Sequence, residues 1–206
     1  QPIKINRVRF INNSAPISKG GALNLQAYAM VFASLFANNS AIEGGAVYMG
    51  TDGKFLSTWN DFHGNEAVVA GGAISACATE EDATCAGTVH IFGSIASSNR
   101  VTAPDGERSG GGFLKSNGAN VECRQASLSD STAAGLPSSI GLRFGNHQMH
   151  DVTLRDNGTI VLANDGVLNI YCSPGTFEAI KKLDLDFSGW TVNNHPNECS
   201  LCEAGE

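Results

Sequence analysis

Phe36-Ala37-Asn38-Asn39-Ser40-Ala41-Ile42-Glu43-Gly44-Gly45-Ala46-Val47 is the phrase on which this chain is built. It reads F-x-x-N, a short polar turn, then G-G-A and an aliphatic residue. The same phrase opens earlier at Phe10 and Asn13, closing with Gly20-Gly21-Ala22-Leu23, and returns at Phe62 and Asn65, closing with Gly71-Gly72-Ala73-Ile74. Asn13, Asn39 and Asn65 are evenly spaced, and a fixed period of about 20 to 50 residues marks a solenoid. The apolar runs between the phrases, such as Val31 to Phe36, are too short for a globular helix, which needs roughly 10 to 12 residues. They alternate apolar with small or polar residues, as strands with one buried face do.

These features predict an all-β, single-stranded parallel β-helix of about seven coils, each advancing about 4.8 Å. Each residue type in the phrase has a place in such a coil. Paired glycines fit tight corners. Phe10, Phe36 and Phe62 are expected to stack through the interior. Asn13, Asn39 and Asn65 are expected to form a hydrogen-bonded ladder, continued by Asn99, by Ser131 in place of asparagine, and by Asn157 and Asn193. Residues 1–10 read as one strand leading into the first phrase.

F-x-x-N with G-G-A-[ILV], repeated in fixed order from Phe10 to Ile74, resembles the repeats of the polymorphic membrane proteins. Their passenger domains are right-handed parallel β-helices that act as adhesins. The six cysteines stand outside the repeat phrase and no membrane barrel is visible. The likeness is therefore to the eukaryotic version, found in large surface proteins of algae and other protists. Cys199-Ser200-Leu201-Cys202, with Gly205 after it, resembles the opening of an ephrin-receptor-like cysteine-rich repeat. The resemblance implies a right-handed β-helix over 1–196 and the start of that module, or a linker, over 197–206. A zinc half-site competes for this C-x-x-C, but no second pair of ligands accompanies it.

Bulk properties narrow the function. A net charge of −7 with scattered Lys and Arg argues against a nucleic-acid partner. No apolar run is long enough to span a membrane. Six cysteines, an even number, point to an oxidising, extracellular or cell-surface location. Cys77 and Cys85 bracket an acidic excursion, Glu80-Glu81-Asp82, where the step from Asn65 to Asn99 exceeds the earlier ones by eight residues. A disulfide at the base of that loop is the simplest account, and its acidic tip reads as solvated rather than as a cation site. The pairing of Cys123, Cys172, Cys199 and Cys202 is open. Sequons stand at Asn12, Asn38 and Asn157. The first two precede ladder positions and should point outward, where a glycan fits, whereas Asn157 occupies a ladder position itself.

Some parallel β-helices cleave polysaccharides, and the candidates for such a site here are Asp151, Arg155 and Asp156, with His147 and His150 nearby. Asp151 and Arg155 are expected on one outer face of a single strand. Equivalent carboxylates are missing from adjacent coils, and these charges read as solvated. His63 and His90 read as packing or surface residues. The expectation is a protein that is not an enzyme and needs no cofactor or metal. It is expected to serve adhesion or recognition within a larger multidomain protein, meeting other protein subunits or cell-surface glycans. A structural subunit of an extracellular filament, assembled end to end, is the alternative.

Overall fold

The computed structural model describes residues 1–77, 85–102, 111–133, 136–137, 139–155, 160–163, 167–171, 183–184 and 191–192. Among these residues there is no helix, and the strands form four stacks of parallel pairs, a parallel β-helix. The first face runs from Ile3–Asn6 through Tyr28–Phe32, Lys54–Thr58, Thr88–Phe92, Asn120–Arg124, Asn146–His150 and Val167–Tyr171 to Thr191–Val192. The second runs from Arg9–Ile11 through Leu35–Ala37, Asp61–His63, Ile95–Ser97 and Ser127–Ser129 to Thr153–Arg155. The third begins at Ser14–Lys19 and continues through Ser40–Glu43 and Glu66–Ala70, and Leu136–Pro137 joins its last parallel strand, Thr132–Ala133, antiparallel. The fourth carries seven strands, from Leu23–Leu25 to Leu183–Asp184. Among the described residues the four faces hold eight, six, six and seven strands, against the expected seven or so coils.

Corners between faces explain where runs that look continuous in sequence must break. Arg7, Ala33, Trp59, Gln125 and Asp151 all have φ between 51° and 56°, or 47° at Ala33. They stack as one left-handed corner between the first and second faces. Residues 1–10 are therefore two strands, not one, and Val31 to Phe36 is broken at Ala33. In both places a residue in the left-handed region turns the chain, which a continuous strand forbids. Asn12 and Asn38 (φ 57° and 54°) form the next corner, followed in the stack by Gly64 and Ser98.

The two glycines of each phrase serve different ends. Gly44 sits at φ 60°, a conformation L side chains rarely adopt. Gly45 does not, but a Cβ there would lie 2.1 Å from the Gly72 carbonyl oxygen of the next coil. One glycine turns the chain and its neighbour lets two coils touch.

The core is a column of aligned side chains. Phe10, Phe36 and Phe62 share one register on the second face and stack with centroids 4.8 Å apart at each step. In the next coil that column holds Ala96, opposite Phe62. The missing ring is supplied from elsewhere. Phe113 stands where Ala73 stood, because the backbone bond from Gly72 to Gly111 repeats the one from Gly45 to Gly71. Phe113 is fully buried, with its ring 5.5 Å from Phe62. A large residue and a small one have exchanged places across the interior, which conserves volume.

Candidate functional site

The asparagine ladder is inside the coil and is a structural element. The Asn39 side-chain oxygen accepts from the Asn13 backbone N–H at 3.0 Å and from its amide at 2.8 Å. Asn65 receives the same pair from Asn39, and Asn99 from Asn65, across the longer step of 34 residues. Each side-chain amide also donates to the carbonyl of a phenylalanine in the preceding coil: Asn39 to Phe10, Asn65 to Phe36 and Asn99 to Phe62. At Ser131 the hydroxyl turns to its own strand, donating to the Ser129 carbonyl. A second polar ladder, Ser34–Asn60–Ser94, runs beside it. Asn60 accepts from the Ser34 N–H at 2.7 Å and donates to the Val31 carbonyl at 2.9 Å. Sequence reading missed it, although Ser34, Asn60 and Ser94 each stand five residues before a ladder asparagine.

Other singled-out residues separate clearly. Cys77 and Cys85 form a disulfide. Cys123 is a free, fully buried thiol on the inner side of the first face, and burial pushes its pKa up to about 12. Asn12 and Asn38 are exposed, and Ser14 and Ser40 of the same sequons are hydrogen-bonded to each other at 3.0 Å. Asn157, Asn193, Cys172, Cys199, Cys202, Asp156 and the 80–82 acidic tip lie outside the described residues.

Among the described residues, Asp151, Arg155, His147 and His150 do not converge as one group. Asp151 is the left-handed corner residue, whereas Arg155 ends the strand Thr153–Arg155 beyond it, so the two do not share a strand. His147 points into the core, where its Nε2 bonds the Phe144 carbonyl at 2.6 Å. Burial lowers its pKa to about 4 despite that bond. His150, three residues on, faces outward and stacks on Tyr171 at 4.4 Å. Alternation along one strand sends the two rings to opposite sides. Among the described residues no three His, Cys, Asp or Glu side chains gather to hold a metal ion, and no helix is long and apolar enough to cross a membrane.

Glu43, which reads in sequence as part of a polar turn, is buried against the third face. Lys19 reaches it at 3.2 Å and the Tyr48 hydroxyl at 3.2 Å. Partial burial depresses the Lys19 ammonium, but the bonds to Tyr48 and Glu43 outweigh it and hold its pKa above the ordinary lysine value.

The outer surface along the first corner differs from the rest. In register on the first face stand Phe32, Thr58, Phe92, Arg124, His150 and Tyr171, one per coil. Trp59 occupies the corner itself and is 56% exposed. Its N–H is fixed by the Phe92 carbonyl at 2.9 Å, and Phe92 meets the indole edge-on at 81° with centroids 5.7 Å apart. A Cβ on Gly93 would come within 3.1 Å of two indole ring atoms and 3.3 Å of a third. The ring thus rests on the bare glycine of the next coil. Phe32 and Ile95 beside it are also exposed. Above them Glu122 is paired with His90 at 2.7 Å and with Arg124. Burial raises the Glu122 carboxyl, but its bonds to Arg124 and His90 outweigh that and hold it below the ordinary carboxylate value. Sequence reading did not single out Trp59. Its signal was positional: a tryptophan where the previous coil has Ala33 and the next has Gly93.

No protein family, curated protein or solved structure matches this chain.

Proposed function

We propose that this chain is a non-enzymatic, extracellular cell-surface β-helix module for adhesion or recognition, part of a larger multidomain protein of the kind its repeats resemble. The observation that carries this reading is the exposed strip around Trp59. A solvated rod has no packing reason to hold a tryptophan outward beside exposed Phe32 and Ile95, and apolar surface concentrated in this way marks interaction sites. The Cys77–Cys85 disulfide supports an oxidising location. The outward Asn12 and Asn38 sequons fit the same route.

The test is binding of the fluorescently labelled protein to a panel of intact cells, with Trp59→Ala as comparison. Saturable binding that the substitution removes is the expected result. Absence of binding throughout, together with regular fibres containing the protein in electron micrographs of native material, would replace this reading with that of a filament subunit.

A further inference from the structure

We infer that the corner strip from Phe32 to Arg124 binds a neutral, linear oligosaccharide lying along the helix axis, with Trp59 as its stacking platform. The inference rests on the recognition reading above and names the ligand class of that surface.

The indole is held before any ligand arrives. Its backbone is locked by the bond to Phe92, its inner face rests on Gly93, and Phe92 closes one edge. Its outer face stays in solvent. A rigid aromatic face so presented loses little conformational freedom on binding. It matches the C–H-rich face of a pyranose ring, which is flat, weakly apolar and rimmed by hydroxyls. The amphipathic character of tryptophan suits such a half-wet contact.

The spacing favours a polymer. Coils repeat at about 4.8 Å, close to the length of one hexopyranose unit, so successive sugars meet equivalent positions on successive coils. From Trp59 one step in one direction reaches Phe32, and in the other Phe92 and then Arg124. Arg124 and His90 converge on Glu122, giving donors and acceptors within two coils of the aromatic platform. Such groups bind hydroxyls in pairs.

Charge selects among polymers. Arg124 is already paired with Glu122, as is His90, so this stretch presents no unmatched block of cations to an anionic chain. Width selects against a globular protein partner. Exposed Asp61 and His90 bound the strip on its two sides. A stable protein interface takes about 800 Å² per partner, and polar Asp61 and His90 interrupt the apolar surface on both sides.

The experiment uses the full chain on an array of immobilised neutral linear glucans, mannans, xylans and galactans, with heparin and polygalacturonate as acidic comparisons. Expected is binding to at least one neutral series that strengthens with chain length up to the span of the strip, and quenching of tryptophan fluorescence by the free oligosaccharide. Trp59→Ala should weaken it by roughly tenfold or more, and Trp59→Phe by less. The alanine variant is expected to fold, because Ala33 holds the same corner one coil earlier at φ 47°, and an unchanged melting temperature checks this. Arg124→Ala is the second variant, and should weaken binding with Trp59 intact. Binding to acidic polymers alone, or neutral binding indifferent to both substitutions, overturns the inference. Cell binding that Trp59→Ala removes but free neutral oligosaccharides do not inhibit also overturns it, while leaving the recognition reading standing. Failure of cell binding itself removes that reading instead.

Discussion

Replacing Asn65 by alanine tests the physical claim at the centre of this fold, that an internal amide ladder holds the coils in register. Asn65 is fully buried. Its oxygen accepts from the Asn39 N–H at 3.0 Å and the Asn39 amide at 2.9 Å. Its own amide donates to the Phe36 carbonyl and to the Asn99 oxygen, both at 2.9 Å. All four bonds go with the side chain, but the losses are unequal. The Asn39 amide keeps the Phe10 carbonyl at 3.0 Å, and the Asn99 oxygen keeps the Asn65 backbone N–H at 3.0 Å. The Asn39 N–H loses its partner, whereas the Phe36 carbonyl keeps the His63 N–H of the parallel ladder. A buried polar group left unpaired costs about 1 to 3 kcal/mol, so Asn65→Ala should destabilise by about 2 kcal/mol. Urea unfolding followed by far-ultraviolet circular dichroism measures this. Native-state hydrogen exchange at the Asn39 amide locates it, since coil stacks can open locally. Asn38→Gly is the control: it touches the neighbouring residue, faces solvent, and places in that corner the residue found there as Gly64. It should lie within about 1 kcal/mol of the parent. A loss below about 1 kcal/mol for Asn65→Ala, with exchange at Asn39 unchanged, would show that the ladder follows from the stacking of the coils and does not secure it.

Three further outcomes follow from the core and its covalent tie. Phe113→Ala should cost about 3 to 5 kcal/mol as a large ring lost from a core. Ala96→Phe alone should overpack by about 1 to 3 kcal/mol, but the double variant, which restores the stack above Phe62, should be less destabilised than the sum of the two, as a double-mutant cycle in thermal unfolding will read. His147 is neutral in the folded chain with its pKa lowered to about 4, against an ordinary value of 6.5. The unfolded chain therefore binds the extra proton, and stability present above about pH 6.5 is lost as pH falls toward 4, by up to about 3 kcal/mol. His147→Leu should flatten that part of the stability–pH curve, and an unchanged slope would contradict the burial. Reduction of Cys77–Cys85, separated by 8 residues, should lower stability by about 2.5 kcal/mol on loop entropy, seen as a lower urea midpoint in dithiothreitol that Cys77→Ser with Cys85→Ser reproduces.

Much of this was legible from residue order alone because a solenoid writes its geometry into a period. Asn13, Asn39, Asn65 and Asn99 recur one per coil, so spacing alone placed them in contact, and the excess before Asn99 located the Cys77–Cys85 loop. Phe10, Phe36 and Phe62 followed for the same reason. Spacing could not say where a coil turns. Ala33 and Arg7 have no turn signature of their own, and they hold the left-handed region where the Thr58 and Phe32 carbonyls of the next coil accept from their N–H groups. Nor could it assign the inward or outward sense of His147 and His150, which depends on where the strand Asn146–His150 enters its face. The compensation of Ala96 by Phe113 joins residues from different faces, and only packing in three dimensions brings them together. Trp59 carries the same lesson for function. Residue order did not single it out, and the glycine one coil away, with the corner it stands on, put it in solvent. Periodicity determined which residues stack along the axis. The tertiary structure decided which residues meet across it and which face outward, because those relations depend on the angles of the corners, which no repeat length encodes.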